Sequence, residues 1–189
     1  MIVDLVLTNA KAYLKEQILD CSIAIEDGTI QKIGKETQMP QADERINLKN
    51  LLVLPGLIDV HVHLRDEGKA YKEDFYTGTA AAAAGGFTTV LDMPNNEPVT
   101  MSAETLKDRM HIAEKKIVVN VGFRSELPSN LNEVEGIVGQ GALGFKLFMA
   151  TQVGGLDVND DEALHQAFLR IGEAGIPVAV HAEDNQTIS

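Results

Sequence analysis

The sequence has one cysteine, Cys21, no tryptophan, and an aromatic fraction of only 5%. A single cysteine excludes an intrachain disulfide framework and suits a reducing compartment, so a cytoplasmic location is expected. Cys21 has no second cysteine and no nearby histidine, and reads as a small buried hydrophobe. Apolar runs approaching the ~20 residues of a membrane span are missing. The opening Met1-Ile2-Val3-Asp4 has no basic segment ahead of an apolar stretch, so no targeting segment is expected. Positive charge is scarce: 16 Lys and Arg stand against 28 Asp and Glu, a net charge of -12. With no basic cluster to act locally against that field, nucleic acid and anionic membrane are excluded as partners. A Gly-rich phosphate loop and a Gly-x-Ser-x-Gly elbow are also lacking.

The chain divides by pattern into two domains, 1–55 and 56–189. In the first, Ile2 to Thr8, Ala10 to Leu14, Cys21 to Glu26 and Thr29 to Ile33 are short β-rich runs, with Asp27-Gly28 as a hairpin turn. Ile46 to Leu48 and Leu51 to Leu54 read as further strands. Short strands joined by tight turns predict the N-terminal part of a small β-sandwich. Pro55-Gly56 then breaks the chain.

From residue 56 the pattern alternates strand and helix. Strands are predicted at Leu57 to Leu64, Phe87 to Met93, Ile117 to Phe123, Leu143 to Met149 and Pro177 to His181. The intervening helices run from about Lys72 to Ala84, from the cap Ser102 to Lys116, around Asn132 to Val138, and from the cap Asn159 to Ala174. Gly85-Gly86 and Gly175 stop two of them. Repeated βα units imply a parallel sheet. Polar residues gather at the strand C-terminal ends: His61 and His63, Asp92, Lys146 and His181. A (β/α)8 barrel brings all those ends to one point, which favours it over an open sheet. The fold class is therefore α/β, a partial (β/α)8 TIM barrel of about five strands, since a whole barrel needs eight and ~250 residues.

Asp59-Val60-His61-Val62-His63-Leu64-Arg65 is the sharpest chemical signal. On a strand, alternate residues share a face, so Asp59, His61, His63 and Arg65 point one way and Val60, Val62 and Leu64 the other. Two imidazoles one residue apart can converge on a divalent metal, with a carboxylate orienting one of them. Lys146, in Gly144-Phe145-Lys146-Leu147-Phe148-Met149, lies on a predicted buried strand. It is open to two readings: an inward ammonium paired with a carboxylate, or a desolvated amine that takes up carbon dioxide and becomes a bridging anionic ligand. Unmodified, its ammonium cannot ligate a metal. His181 ends the fifth strand and on its own is as readily structural as ligating. His111 and His165 fall in predicted helices and read as solvated.

These residues together resemble the amidohydrolase superfamily, and within it the dihydroorotases. Pro55-Gly56-Leu57-Ile58-Asp59-Val60-His61-Val62-His63 resembles the family's first barrel strand, whose two histidines bind one metal. Lys146 matches the lysine that is carboxylated and bridges both metals in lysine-type members, and His181 matches the strand-five histidine of the second. Arg65 matches the arginine that holds the substrate carboxylate. In Met93-Pro94-Asn95-Asn96-Glu97-Pro98, Asn95 matches an asparagine that binds the same carboxylate, a group that hydantoin and dihydropyrimidine rings lack. The chain departs from the family where Asp66-Glu67-Gly68 replaces Glu-Pro-Gly.

The resemblance implies two zinc ions per complete active site, bridged by carboxylated Lys146. It implies reversible hydrolysis of dihydroorotate to N-carbamoyl-L-aspartate, a step of pyrimidine biosynthesis, through metal-bound hydroxide. The family's strand-eight aspartate, its proton shuttle, falls downstream of residue 189, so no catalytic base is expected in these residues and the chain alone should be inactive. Allantoinase or hydantoinase is the alternative within the enzyme class. A non-catalytic assembly protein is the alternative outside it, which the retained ligand set disfavours. The partner is thus a small molecule, and the open edge of a half barrel predicts association of copies into a homo-oligomer.

Overall fold

A computed structural model describes residues 2–150 and 153–188. The chain falls into two compact units, Met1–Pro55 and Gly56–Ser189.

The first unit is a five-stranded sheet in the order β3-β2-β1-β4, with β5 also on β1. Its strands are β1 (Ile2–Leu14), β2 (Gln17–Glu26), β3 (Thr29–Gly34), β4 (Gln41–Asn47) and β5 (Leu52–Val53). The two runs expected at its start are one strand, and Asn9, at a positive φ of 51°, marks the point where the register to β2 shifts between Leu7 and Ala10. β1 pairs antiparallel with β2 but parallel with β4 and β5. Two small apolar clusters stabilise the sheet, one on Val3, Val6 and Ala24 and the other on Ala10, Ala12 and Ile23, where Cys21 packs.

The second unit contains the five barrel strands in sequential order. β6 (Leu57–Val62), β7 (Phe87–Asp92) and β8 (Asn120–Phe123) form one parallel ladder, and β9 (Ser125–Glu126), β10 (Phe145–Phe148) and β11 (Val178–His181) the other. β8 and β9 are two halves of the third barrel strand, separated only by Arg124. The first half pairs with β7 and the second with β10, so the strand changes neighbours at Arg124. The strand expected over Ile117 to Phe123 therefore starts later and ends later.

Among the described residues, four helices of six residues or more cover these strands: α1 (Phe75–Ala84), α2 (Ala103–Glu114), α3 (Val134–Gly139) and α4 (Asp161–Ala174). A short helix, α5 (Asn185–Ile188), follows β11. The starts of α1, α2 and α4 are fixed by side-chain caps. Asp74 accepts the N–H of Thr77, so α1 begins at Phe75 and not at Lys72. Ser102 and Thr105 form a reciprocal capping box at α2. Asp160, one residue past the expected Asn159, caps α4, and Gly175 closes it at φ 72°. One continuous core joins the layers, with Phe75, Leu106, Ile137, Phe145 and Ile171 buried between strands and helices.

Candidate active site

β6 carries the first histidine and stops before the second. Its register to β7 shifts between Asp59 and Val62, so strict alternation fails there. Val60 is 55% exposed and Ile58 62%, and neither lies beneath a covering helix as alternation requires. Leu64 is the buried core residue of this segment, with Val62 partly buried against the same core. The backbone N–H of His61 is taken by Asp59 Oδ1 at 3.0 Å. The rings of His61 and His63 lie 5.3 Å apart between centroids and are tilted by 54°. Arg65 follows in a left-handed conformation, φ 60°.

His63 is oriented from the loop after β7. Its Nδ1 lies 2.7 Å from Asn95 Oδ1. With the proton on Nδ1, the imidazole donates to that oxygen and keeps the Nε2 lone pair for a cation. The sequence suggested a carboxylate in this orienting role; an asparagine occupies it. Asn96 fixes the loop beneath, giving Nδ2 to Pro98 O (2.7 Å) and accepting from Thr100 Oγ1 (3.0 Å).

Lys146 is buried at 1% exposure, its Nζ lying 4.6 Å from the centroid of the Phe148 ring. Directly beside it in the ladder stands Glu126, 2% exposed, with Oε2 buried and lacking a hydrogen-bond partner among the described residues. Burial raises the Glu126 carboxyl to about 8, against the opposing pull of Lys146. Burial lowers Lys146, Glu126 works against that shift, and Arg124 adds to it. His181, at the end of β11, has Nε2 2.9 Å from Glu183 Oε1 and its ring 6.0 Å from that of Phe148.

The four candidate ligands are electrostatically close. Burial lowers the pKa of His61, and Lys146, His63 and Arg124 lower it further. Burial also lowers His63, which Asn95 opposes and Arg65, Lys146 and His181 reinforce. Both shifts favour the neutral imidazole, the state that can ligate a cation. Among the described residues no three His, Cys, Asp or Glu side chains already form a metal cage. The donor set fits a cation only if Lys146 supplies an anionic oxygen, and the burial and the Arg124 charge that depress its basicity favour the neutral amine from which a carbamate forms.

Sequence reasoning passed over Arg124 and Glu126. Arg124 has Nε and Nη1 buried without hydrogen-bond partners among the described residues. The available signal was the i, i+2 placement of two charges on a strand continuing past Phe123, hidden because acids and arginines usually mark solvated loops.

A family model described as the amidohydrolase family matches residues 52–189. The chain belongs to the amidohydrolase family. It is 36% identical over 184 residues to a dihydroorotase of Methanosarcina acetivorans, covering 97% of this chain and 39% of that relative. It is 35% identical over 191 residues to an allantoinase of Deinococcus radiodurans, covering 98% and 42%. Among solved structures, an L-hydantoinase (dihydropyrimidinase) from Arthrobacter aurescens superposes with a TM-score of 0.89 at 29% identity, over 98% of this chain and 42% of that one. The chain thus spans about 40% of the length of these relatives, and its second unit is a partial barrel of the cyclic amidohydrolase type. No helix among the described residues is long and apolar enough to cross a membrane.

Proposed function

We propose that this chain is the N-terminal part of a dihydroorotase, which opens the dihydroorotate ring to N-carbamoyl-L-aspartate and closes it again. The observation that carries the reading is the flanking of His63 by Arg65, close enough to depress its pKa, and by Asn95, in direct contact with it. A carboxylate-bearing ring requires an anion clamp beside the reacting centre, and a guanidinium fork matches a carboxylate in two parallel hydrogen bonds. Asn95 can serve both tasks at once, its oxygen holding His63 Nδ1–H and its amide N–H donating to the substrate carboxylate.

His61 and His63 would hold one zinc ion, and Lys146 and His181 would contribute to a second. Bound there, zinc supplies Lewis acidity, which activates water near neutral pH and polarises a ring carbonyl. Lys146 becomes a ligand when its neutral amine adds to carbon dioxide, forming an N–C bond and releasing one proton to solvent. Glu126, beside it and without a hydrogen-bond partner for Oε2 among the described residues, can when protonated donate a hydrogen bond to that anionic group. Burial of Lys146 and Glu126 keeps competing water from that pair and strengthens the electrostatic contact between them.

A second reading, allantoinase, is favoured by the near-equal identity to the Deinococcus radiodurans protein. Purified full-length protein offered dihydroorotate, allantoin and hydantoin separates the two. Preference for dihydroorotate supports the first reading, and faster opening of either other ring overturns it.

A further inference from the structure

Helix α2 and the segment just past it direct two cations at the turn carrying Arg65, and neither touches the candidate ligands. Arg109, 2% exposed, donates from Nε at 2.9 Å and from Nη2 to Asp92 Oδ2. The other oxygen of that carboxylate, Oδ1, accepts the backbone N–H of Leu64 at 2.8 Å. The Arg109 guanidinium lies 4.8 Å from the Phe75 ring centroid, which fixes its plane. Just past the helix, Lys116 Nζ donates to the buried carboxylate of Asp66 at 2.6 Å.

Leu64 and Asp66 are the two chain neighbours of Arg65. Between them the backbone closes tightly, Asp66 N donating to Leu64 O at 2.6 Å, and Arg65 occupies the left-handed region at φ 60°. A side chain larger than glycine's leaves that region unless its surroundings hold it there. Lys116 has a second effect. It occupies Asp66, the acid nearest Arg65 in the chain, and among the described residues Arg65 itself is in no ion pair. The backbone bearing the guanidinium is therefore held, and the guanidinium itself is uncommitted.

We infer that the Arg109–Asp92 and Lys116–Asp66 pairs clamp the Arg65 turn from both sides, making these four side chains positioning residues for the substrate carboxylate anchor. The inference rests on the reading of Arg65 as that anchor. The inner pair is sealed in the core, whereas the Lys116 side chain is 43% exposed, so Lys116 can be changed without opening the core.

The test uses the full-length protein. Lys116→Met should raise KM for dihydroorotate about tenfold with kcat within about twofold and zinc content unchanged, because only ground-state anchoring is loosened. Lys116→Arg, which keeps the ion pair, should retain the original KM. Hydrogen exchange of the 62–68 backbone should quicken in Lys116→Met and, more strongly, in Asp92→Asn. A parallel fall of kcat, an unchanged KM, or a Lys116→Arg variant as impaired as Lys116→Met would overturn the clamp. If the unaltered enzyme leaves dihydroorotate intact, the anchor reading fails. Exchange in 62–68 then still decides the clamp, which unchanged rates in Lys116→Met would refute.

Discussion

Replacing Glu126 with glutamine asks whether the acid beside Lys146 is neutral in the metal-free protein. Burial raises its carboxyl from 4.5 to about 8. A pKa raised on folding favours the neutral form. The stability this contributes is complete below about 4.5 and is lost as pH rises through about 8. At about 1.4 kcal/mol per pH unit, the loss between pH 5 and pH 9 reaches roughly 4 kcal/mol as an upper bound. Lys146, whose pKa burial lowers, gives the opposite slope. The useful observable is thus the difference between variant and parent at each pH. The amide of Glu126→Gln preserves shape and cannot ionise. It should leave stability within ~1 kcal/mol of the parent at pH 5 and raise it by ~2 to 4 kcal/mol at pH 9. Guanidinium denaturation after metal removal, at one protein concentration, measures this. A variant less stable than its parent by a constant amount across the range would refute the reasoning, because it would show Glu126 and Lys146 buried as a charged pair.

Arg65→Met in the full-length enzyme should weaken binding of dihydroorotate by ~2 to 5 kcal/mol, read by calorimetry; an equal loss for a carboxylate-free ring would assign Arg65 to the fold or the metals instead. In the 189-residue chain, His61→Ala or His63→Ala should reduce bound zinc to background in elemental analysis, since two side chains on one rigid segment are the preorganised pair; two tightly held ions in either variant would contradict this. The same chain should associate and leave dihydroorotate intact, because β6 and β11 each end a ladder and Ile58 and Val60 are exposed. A monodisperse monomer in light scattering would count against association, and measurable hydrolysis against a downstream base.

The barrel strands were legible because their apolar residues form short, nearly continuous runs, and the helix ends because caps are local chemistry: Ser102 with Thr105, and Gly175. Asp74 with Thr77 was an equally local signal, overshadowed by the charged Lys72-Glu73 before it. β9 left no trace, since two residues carry no period and its existence depends on β10 lying alongside. The strict alternation expected from Asp59 to Arg65 gave way to a register shift against β7, a tertiary effect invisible in one strand's pattern. Asn95 was singled out for a substrate, but its contact with His63 joins residues 32 apart in sequence, and only folding reveals it. Arg109 and Asp92 illustrate the same limit, because a charge inside a helix reads as solvated until the carboxylate facing it is known.

The loops bearing Arg65 and Asn95 are physically interlocked. Glu97 N donates to Glu67 O at 3.4 Å, and Lys69 Nζ donates to Asn95 O at 3.2 Å. Gly68, at φ 68°, packs so closely that a Cβ there would fall 2.3 Å from Glu97 O. Neither loop can change length or shape without displacing the other. For anyone redirecting ring specificity by grafting, the transplantable unit is therefore the pair. Moving one loop alone into a related barrel would leave it without the surface that moulds it, and ring preference along this lineage should shift by joint replacement of both segments.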